Sequence, residues 1–214
     1  MQSIYFVDSN FTYESSKKSI LSIRYATDGF SFCVHDETEK LVVFVHEPYA
    51  ADSREAVVAK LKNYVVNDTI LNLRFKKVYI MPCFKEKLLV PGAFFDKANI
   101  ATLYTVNQEV SPDDTILYHH IEGIEAYLVE TVISSFHDFV REHFPVVQIV
   151  NGAYPFILGA MSKALRDTEQ IFLDIQDNYF DLLFIRDSGI QLFNTFSYKA
   201  ITDIVYFLLN CIKE

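Results

Sequence analysis

Between Ser19 and Val45 apolar and polar residues alternate with period two. Leu21, Ile23 and Tyr25 alternate with Ser22, Arg24 and Ala26, and Phe30, Phe32 and Val34 alternate with Ser31, Cys33 and His35. This is the period of strands buried on one face. Asp28-Gly29, lying between the two runs, has the chemistry of a tight two-residue hairpin loop, so the strands are antiparallel neighbours. After the polar turn Asp36 to Lys40, the run Leu41 to Val45 is continuously apolar, as in a strand covered on both faces. Asp52 followed by Glu55 reads as a capping box opening a helix with the stripe Val57, Leu61, Tyr64 and Val65. Val78 to Met81 is then a short strand ended by Pro82.

The last third repeats this order. Ile171 to Ile175 and Tyr179 to Ile185 are apolar runs separated by Gln176-Asp177-Asn178, and Asp187-Ser188-Gly189 turns into a third strand carrying Ile190, Leu192 and Phe196. Beyond Ser197 the spacing Ile201, Ile204, Val205, Leu208, Ile212 predicts an amphipathic helix whose stripe must be buried against a sheet. Two three-stranded meanders are therefore expected, Ser19 to Val45 and Ile171 to Phe196. They should lie in separate sheets and superpose, with the helices Ser53 to Val66 and Ser197 to Ile212 on equivalent faces. Between them, Phe94 to Leu103 reads as a helix, and Thr115 to His119 and Ile124 to Val129 as strands around Glu122-Gly123. The stripe Val132, Phe136, Phe139, Val140 marks a helix ending near His143. Val146 to Val150 is a strand, and Pro155 opens a helix through Leu165.

The 214 residues suffice to bury about 70% of the unfolded surface, and a hydrophobic content of 50%, with 19 Phe and 13 Tyr, excludes disorder. Lys plus Arg number 19 against 28 Asp plus Glu, and the net charge of −9 repels nucleic acid and anionic lipid. Cys33, Cys83 and Cys211 are too widely spaced for a zinc knuckle or redox motif and read as small buried hydrophobes in a reducing compartment. The apolar segment Ile204 to Leu209 is far short of the roughly 20 residues of a membrane span. A cytoplasmic protein without membrane insertion is expected.

Two copies of a three-stranded meander followed by a helix resemble the duplicated ribonuclease-H-like domains of the actin-like ATPase fold. The stretch Ile171 to Leu209, with three strands, Arg186, Gly189 and a long apolar helix, is similar to part of the actin-like assembly proteins of type IV pili and type II secretion. From about Ser19 onward, the chain resembles an uncharacterised bacterial family assigned to the actin-like fold. The resemblance implies an α/β fold of two ribonuclease-H-like subdomains, residues 1–108 and 109–214, with mixed sheets of βββαβ type and helices packed on them.

That fold normally carries a phosphate-binding hairpin in each half: Asp, any residue, Gly, any residue, Thr or Ser. Glycine lets backbone amides approach phosphate, the hydroxyl adds a donor, and the carboxylate holds water around Mg²⁺. In Thr27-Asp28-Gly29-Phe30-Ser31, Gly29 and Ser31 fit, but Thr27 replaces the leading Asp. In Asp174-Ile175-Gln176-Asp177-Asn178, Asp174 fits, but Gln176 and Asn178 replace the Gly and the hydroxyl. The family's adenine-contacting glycine pair is expected after the last helix, where this sequence ends at Glu214. Asp28-Gly29 is equally explained as a plain hairpin turn and Asp174 as a strand end.

Other candidates are weaker. His119 and His120 are adjacent on a strand and point to opposite faces, so they cannot share a metal ion. Pairing about the Glu37 to Lys40 turn places His46 beside Ser31 and not beside His35. Asp113-Asp114 reads as a solvated loop, and Glu125 and Glu130 flank a strand without a visible partner base. The aromatic stripes Phe136, Phe139, Phe144 and Tyr179, Phe180, Phe184 read as core. Walker, Rossmann, nucleophile-elbow and zincin motifs are absent. No catalytic, cofactor-binding or metal-ligating residue is assigned, and no cofactor is expected. The sequence points to a non-catalytic binding or scaffold protein whose partner is another protein, docked at the cleft between the halves or at an exposed strand edge. An ATPase or phosphotransferase with Asp174 near metal and Gly29 near phosphate is the alternative.

Overall fold

The computed structural model describes residues 2–213. The elements in chain order are β1 (Ile4–Val7), α1 (Tyr13–Ser16), β2 (Ile20–Ala26), β3 (Gly29–His35), β4 (Leu41–Pro48), α2 (Arg54–Asn67), β5 (Lys77–Pro82) and β6 (Lys87–Pro91). A 3-10 turn at Gly92–Phe94 leads to α3 (Ile100–Asn107), β7 (Asp114–His120), β8 (Ala126–Ile133), α4 (Ser134–His143) and β9 (Val147–Ile149). The chain continues through α5 (Ala153–Lys163), β10 (Glu169–Ile175), β11 (Tyr179–Arg186), β12 (Gly189–Ser197) and α6 (Ile201–Lys213).

These elements form two compact units. One comprises the chain up to Phe84, Ser111–Thr115 and Val132–Gly152; the other comprises Lys85–Val110, Ile116–Thr131 and the chain from Ala153 on. The units interleave in sequence.

The first unit is built on a six-stranded sheet of order β1-β4-β3-β2-β5-β9. Strands β1 to β4 pair antiparallel, whereas β5 joins β2 and β9 in parallel. The alternating residues Leu21, Ile23, Tyr25, Phe32 and Val34 are buried, together with Val57, Leu61 and Val65 of α2. Helix α2 starts one residue later than its acidic cap candidate: the Ser53 side chain, not Asp52, accepts the N–H of Ala56. At the β2–β3 hairpin, Ala26 pairs with Gly29, so the loop is Thr27-Asp28, and Gly29 opens β3 with φ of +142°. Ser31 pairs with His46, as the turn register requires. Strand β1 lies at the sheet edge with Ile4, Tyr5 and Phe6 largely exposed.

The second unit holds two three-stranded sheets, β10-β11-β12 and β6-β8-β7. The C-terminal meander forms as expected, with Asp187 and Ser188 both at positive φ in its second turn. Strand β11 is covered on both faces. Leu183 and Ile185 pack with Ala153, Ile157 and Ala160 of α5, while Phe180 and Leu182 pack with Ile204 of α6. The helix expected over Phe94 to Leu103 is displaced: Gly92–Phe94 forms a 3-10 turn, residues 97–99 turn again, and α3 begins at Ile100. Strand β8 runs on through Val132, so α4 starts at Ser134. The α6 stripe is also corrected, because Ile201 is 77% and Val205 51% exposed while Ile204 is buried; the Ile212 side chain lies outside the described residues. The three cysteines are half-buried, not fully buried.

Candidate functional site

The first candidate phosphate hairpin is closed by its own chain. A Cβ at Gly29 would lie 2.5 Å from the Glu47 carbonyl oxygen and 2.9 Å from Pro48 Cα, so the end of β4 occupies the side that the glycine leaves open. The carbonyls of Asp28 and Thr27 accept N–H groups from Tyr49 and Ala51, each at 3.1 Å. The Asp28 carboxylate is held by the Arg24 guanidinium, Nη1 to Oδ1 3.3 Å and Nη2 to Oδ2 3.5 Å. Tyr49 packs over Phe30, and burial, with the Asp28 charge adding to it, pushes its phenol up to about 12. This tip presents a carboxylate engaged by a guanidinium and backbone carbonyls engaged by the segment after β4.

The second hairpin is filled by side chains. The Gln176 amide donates to Asp174 Oδ2 at 2.9 Å, its backbone N–H donates to the Tyr179 carbonyl at 2.9 Å, and the Tyr198 hydroxyl donates to the Gln176 carbonyl. Where the phosphate motif requires bare glycine, a side chain here closes onto the motif's own carboxylate.

Behind this tip lies a row of polar groups on one face of the sheet. Asp174, Asp181 and Thr195 are successive register partners across β10, β11 and β12. Asp181 is 1% exposed, accepts the Thr195 hydroxyl at 2.6 Å and lies 2.9 Å from Lys87 Nζ. Burial pushes the Asp181 carboxyl up, and the Lys87 charge and the Thr195 hydrogen bond oppose it. Lys87 Nζ also stands 4.6 Å from the centre of the Tyr179 ring, and its register partner on β8 is the buried Glu130. Such a pair gains little net stability, since desolvation offsets its Coulomb attraction, but it is costly to break. Its chemistry is that of a clasp between β6 and β11, with the ammonium engaged by a carboxylate and an aromatic ring.

His119 and His120 do face opposite ways. His120 meets the Tyr127 ring, while His119 Nε2 is buried 4.0 Å from Glu130 Oε1, beyond hydrogen-bond reach. Burial lowers the His119 pKa and favours its neutral form. Asp114 corrects the solvated-loop expectation: its side chain is 4% exposed and takes both guanidinium nitrogens of Arg54, at 3.2 and 3.3 Å. Lys87 and Asp181 are the buried charges that sequence reasoning missed. The visible signal was a lone Asp inside the apolar run Tyr179–Arg186. Among the described residues no cluster of three or more His, Cys, Asp or Glu is placed to hold a metal ion, and no helix is long and apolar enough to cross a membrane.

Known structures place this architecture. A protein with an actin-like ATPase fold and unknown function from Bacteroides thetaiotaomicron is 23% identical, covers 95% of this chain and 79% of its own, and superposes with a TM-score of 0.86. The chain thus has the actin-like ATPase fold. More distant likenesses are the PilM-PilN type IV pilus biogenesis complex (12% identity, 83% of this chain, TM-score 0.45) and the ethanolamine utilization protein EutJ from Carboxydothermus hydrogenoformans (9%, 97%, 0.44). This chain spans 61% and 60% of those two proteins. None of the curated proteins matches the sequence. The family model for "Protein of unknown function (DUF3822)" matches residues 8–214, and the chain belongs to that family.

Proposed function

We propose that this chain is a non-catalytic binding or scaffold protein, a pseudo-ATPase that keeps the actin-like fold and has given up the nucleotide. The observation that carries this is the closure of both hairpin tips, by the Glu47–Pro48 backbone behind Gly29 and by Gln176 on Asp174. Its partner is another protein in the cytoplasm; the net charge of −9 speaks against nucleic acid, and three widely spaced cysteines suit a reducing compartment. We also propose that the two units are the two ribonuclease-H-like halves of the fold. Calorimetric titration with ATP and Mg²⁺ tests the functional reading. No binding heat up to about 1 mM is expected, and clear micromolar binding overturns it.

One observation favours a second reading, an ATP-dependent ATPase or phosphotransferase: Asp174 lies at a hairpin tip in register with the buried Asp181. In that case Asp174→Ala abolishes turnover and leaves the fold intact. An unchanged residual rate rejects it.

A further inference from the structure

Helix α6 has more apolar surface than its sheet covers. Advancing 100° per residue, Ile204, Phe207, Leu208 and Cys211 fall on the face packed against Phe180 and Leu182. Ile201, Val205 and Leu209 succeed one another at a spacing of four on another face, where they are 77%, 51% and 52% exposed, with Tyr206 beside them at 62%. Asp203 is the one charged residue among α6 side chains that the structure describes. A helix whose apolar arc continues past the face its sheet covers has the pattern of one packed on more than one side.

At the start of this helix opens a cleft of about 620 Å³, within the range of ligand-binding pockets. Its walls include Tyr198, Tyr206 and Phe207, and Lys85 and Lys199 stand at it. Asp203, the carboxylate in the lining, is turned onto the backbone N–H groups of Lys199 and Ala200 at 2.9 and 3.0 Å. Lys85 has a carboxylate neighbour, Glu86, only at 3.9 Å. Lys85 and Lys199 against the one lining carboxylate, Asp203, leave the cleft lining one positive charge in excess on a chain of net charge −9.

We propose that the outer face of α6 and this cleft receive a short amphipathic segment of a partner protein. Its apolar side lies on Val205 and Leu209, an aromatic or aliphatic anchor enters the cleft, and acidic residues meet Lys85 and Lys199. This rests on the binding-protein reading and names its surface and partner chemistry. Area decides against a second copy of the chain. Thirteen helical residues extend about 20 Å, and at about 10 Å width they offer about 200 Å², against the roughly 800 Å² per partner of a stable protein–protein interface.

The test pans a phage-displayed library of random peptides, about 16 residues long, on the full chain and measures enriched peptides by fluorescence anisotropy. Enriched peptides should carry two or more large apolar residues at helical spacing and an excess of Asp and Glu. Val205→Asp and Leu209→Asp should each weaken them at least tenfold, and Lys85→Glu with Lys199→Glu at least fivefold, with unchanged thermal melting because all four positions are at the surface. Failure to enrich, enrichment of basic peptides, or equal affinity for Leu209→Asp overturns the proposal. So does a concentration-dependent dimer in sedimentation, or binding to phosphatidylserine vesicles, that Leu209→Asp removes. The same preparations titrated with Mg-ATP report separately on the non-catalytic reading, so either can fail alone.

Discussion

The two meanders share a strand order and solve the same problem in different ways. In β2–β4 the hairpin tip is closed by backbone: β4 runs so near Gly29 that no side chain fits. Its charge pair, Arg24 with Asp28, stays partly in water, at 26% and 19% exposed. In β10–β12 the tip is closed by a side chain, Gln176, and the charge pair Lys87 with Asp181 is sunk to 1% and 2% exposure. The common topology leaves the chemistry of the tip open. One tip is closed by the approach of a strand and the other by a side-chain hydrogen bond.

The comparison is broken most sharply at the buried pair. Lys87→Ala or Asp181→Ala should each lower unfolding free energy by about 3–5 kcal/mol in urea titrations, because each strands its partner's charge in a dry interior. The double replacement Lys87→Met with Asp181→Leu should lie within about 1 kcal/mol of the parent or above it. A double variant as unstable as the singles would show that the pair itself holds β6 to β11. Asp28→Asn in the first meander should cost under about 1 kcal/mol, since its pair is screened.

Glycine substitutions sharpen the contrast at smaller scale. Gly29→Ala combines a positive φ with a 2.5 Å approach to the Glu47 carbonyl, and a loss of about 1–3 kcal/mol is expected. Gly189→Ala, whose new Cβ would meet nothing nearer than 3.5 Å, should change stability by about 0.5 kcal/mol or less. Equal effects would remove the claim that the approach of β4 sets Gly29 apart from an ordinary turn glycine.

The smallest expected effect is a pH dependence from histidines that burial keeps neutral. Burial holds His119 below its ordinary value of 6.5, so the unfolded chain takes up a proton at higher pH than the folded one. Stability should therefore fall as pH is lowered from about 7 through 6.5 toward the folded value. His119→Asn should flatten the thermal-melting profile over that range. Burial lowers His143 too, so some slope should remain.

Both meanders were legible because strand period, turn residues and helix stripes are local signals, and they led directly to the actin-like order. Strand β6 escaped because Leu88-Leu89-Val90 is a short apolar run that does not alternate. The polar row behind the second hairpin was half legible: Asp174 announced itself through its motif. Asp181 did not, since its partner Lys87 is 94 residues away and meets it only through packing of two separate sheets. Asp114 misled for the same reason, because a carboxylate beside Pro112 looks solvated until Arg54 is brought against it.

The interleaving of the units bears on how this protein is made. Strand β5 ends at Pro82, yet the parallel strand that covers its outer edge, β9, arrives with Val147–Ile149. At about 5–20 residues per second, a ribosome needs roughly 3–14 s to pass from Phe84 to Gly152, and through that interval Val78, Tyr79 and Ile80 stand at an open, apolar strand edge. A fragment ending near residue 108 should keep that edge open permanently and aggregate more than the whole chain at equal concentration.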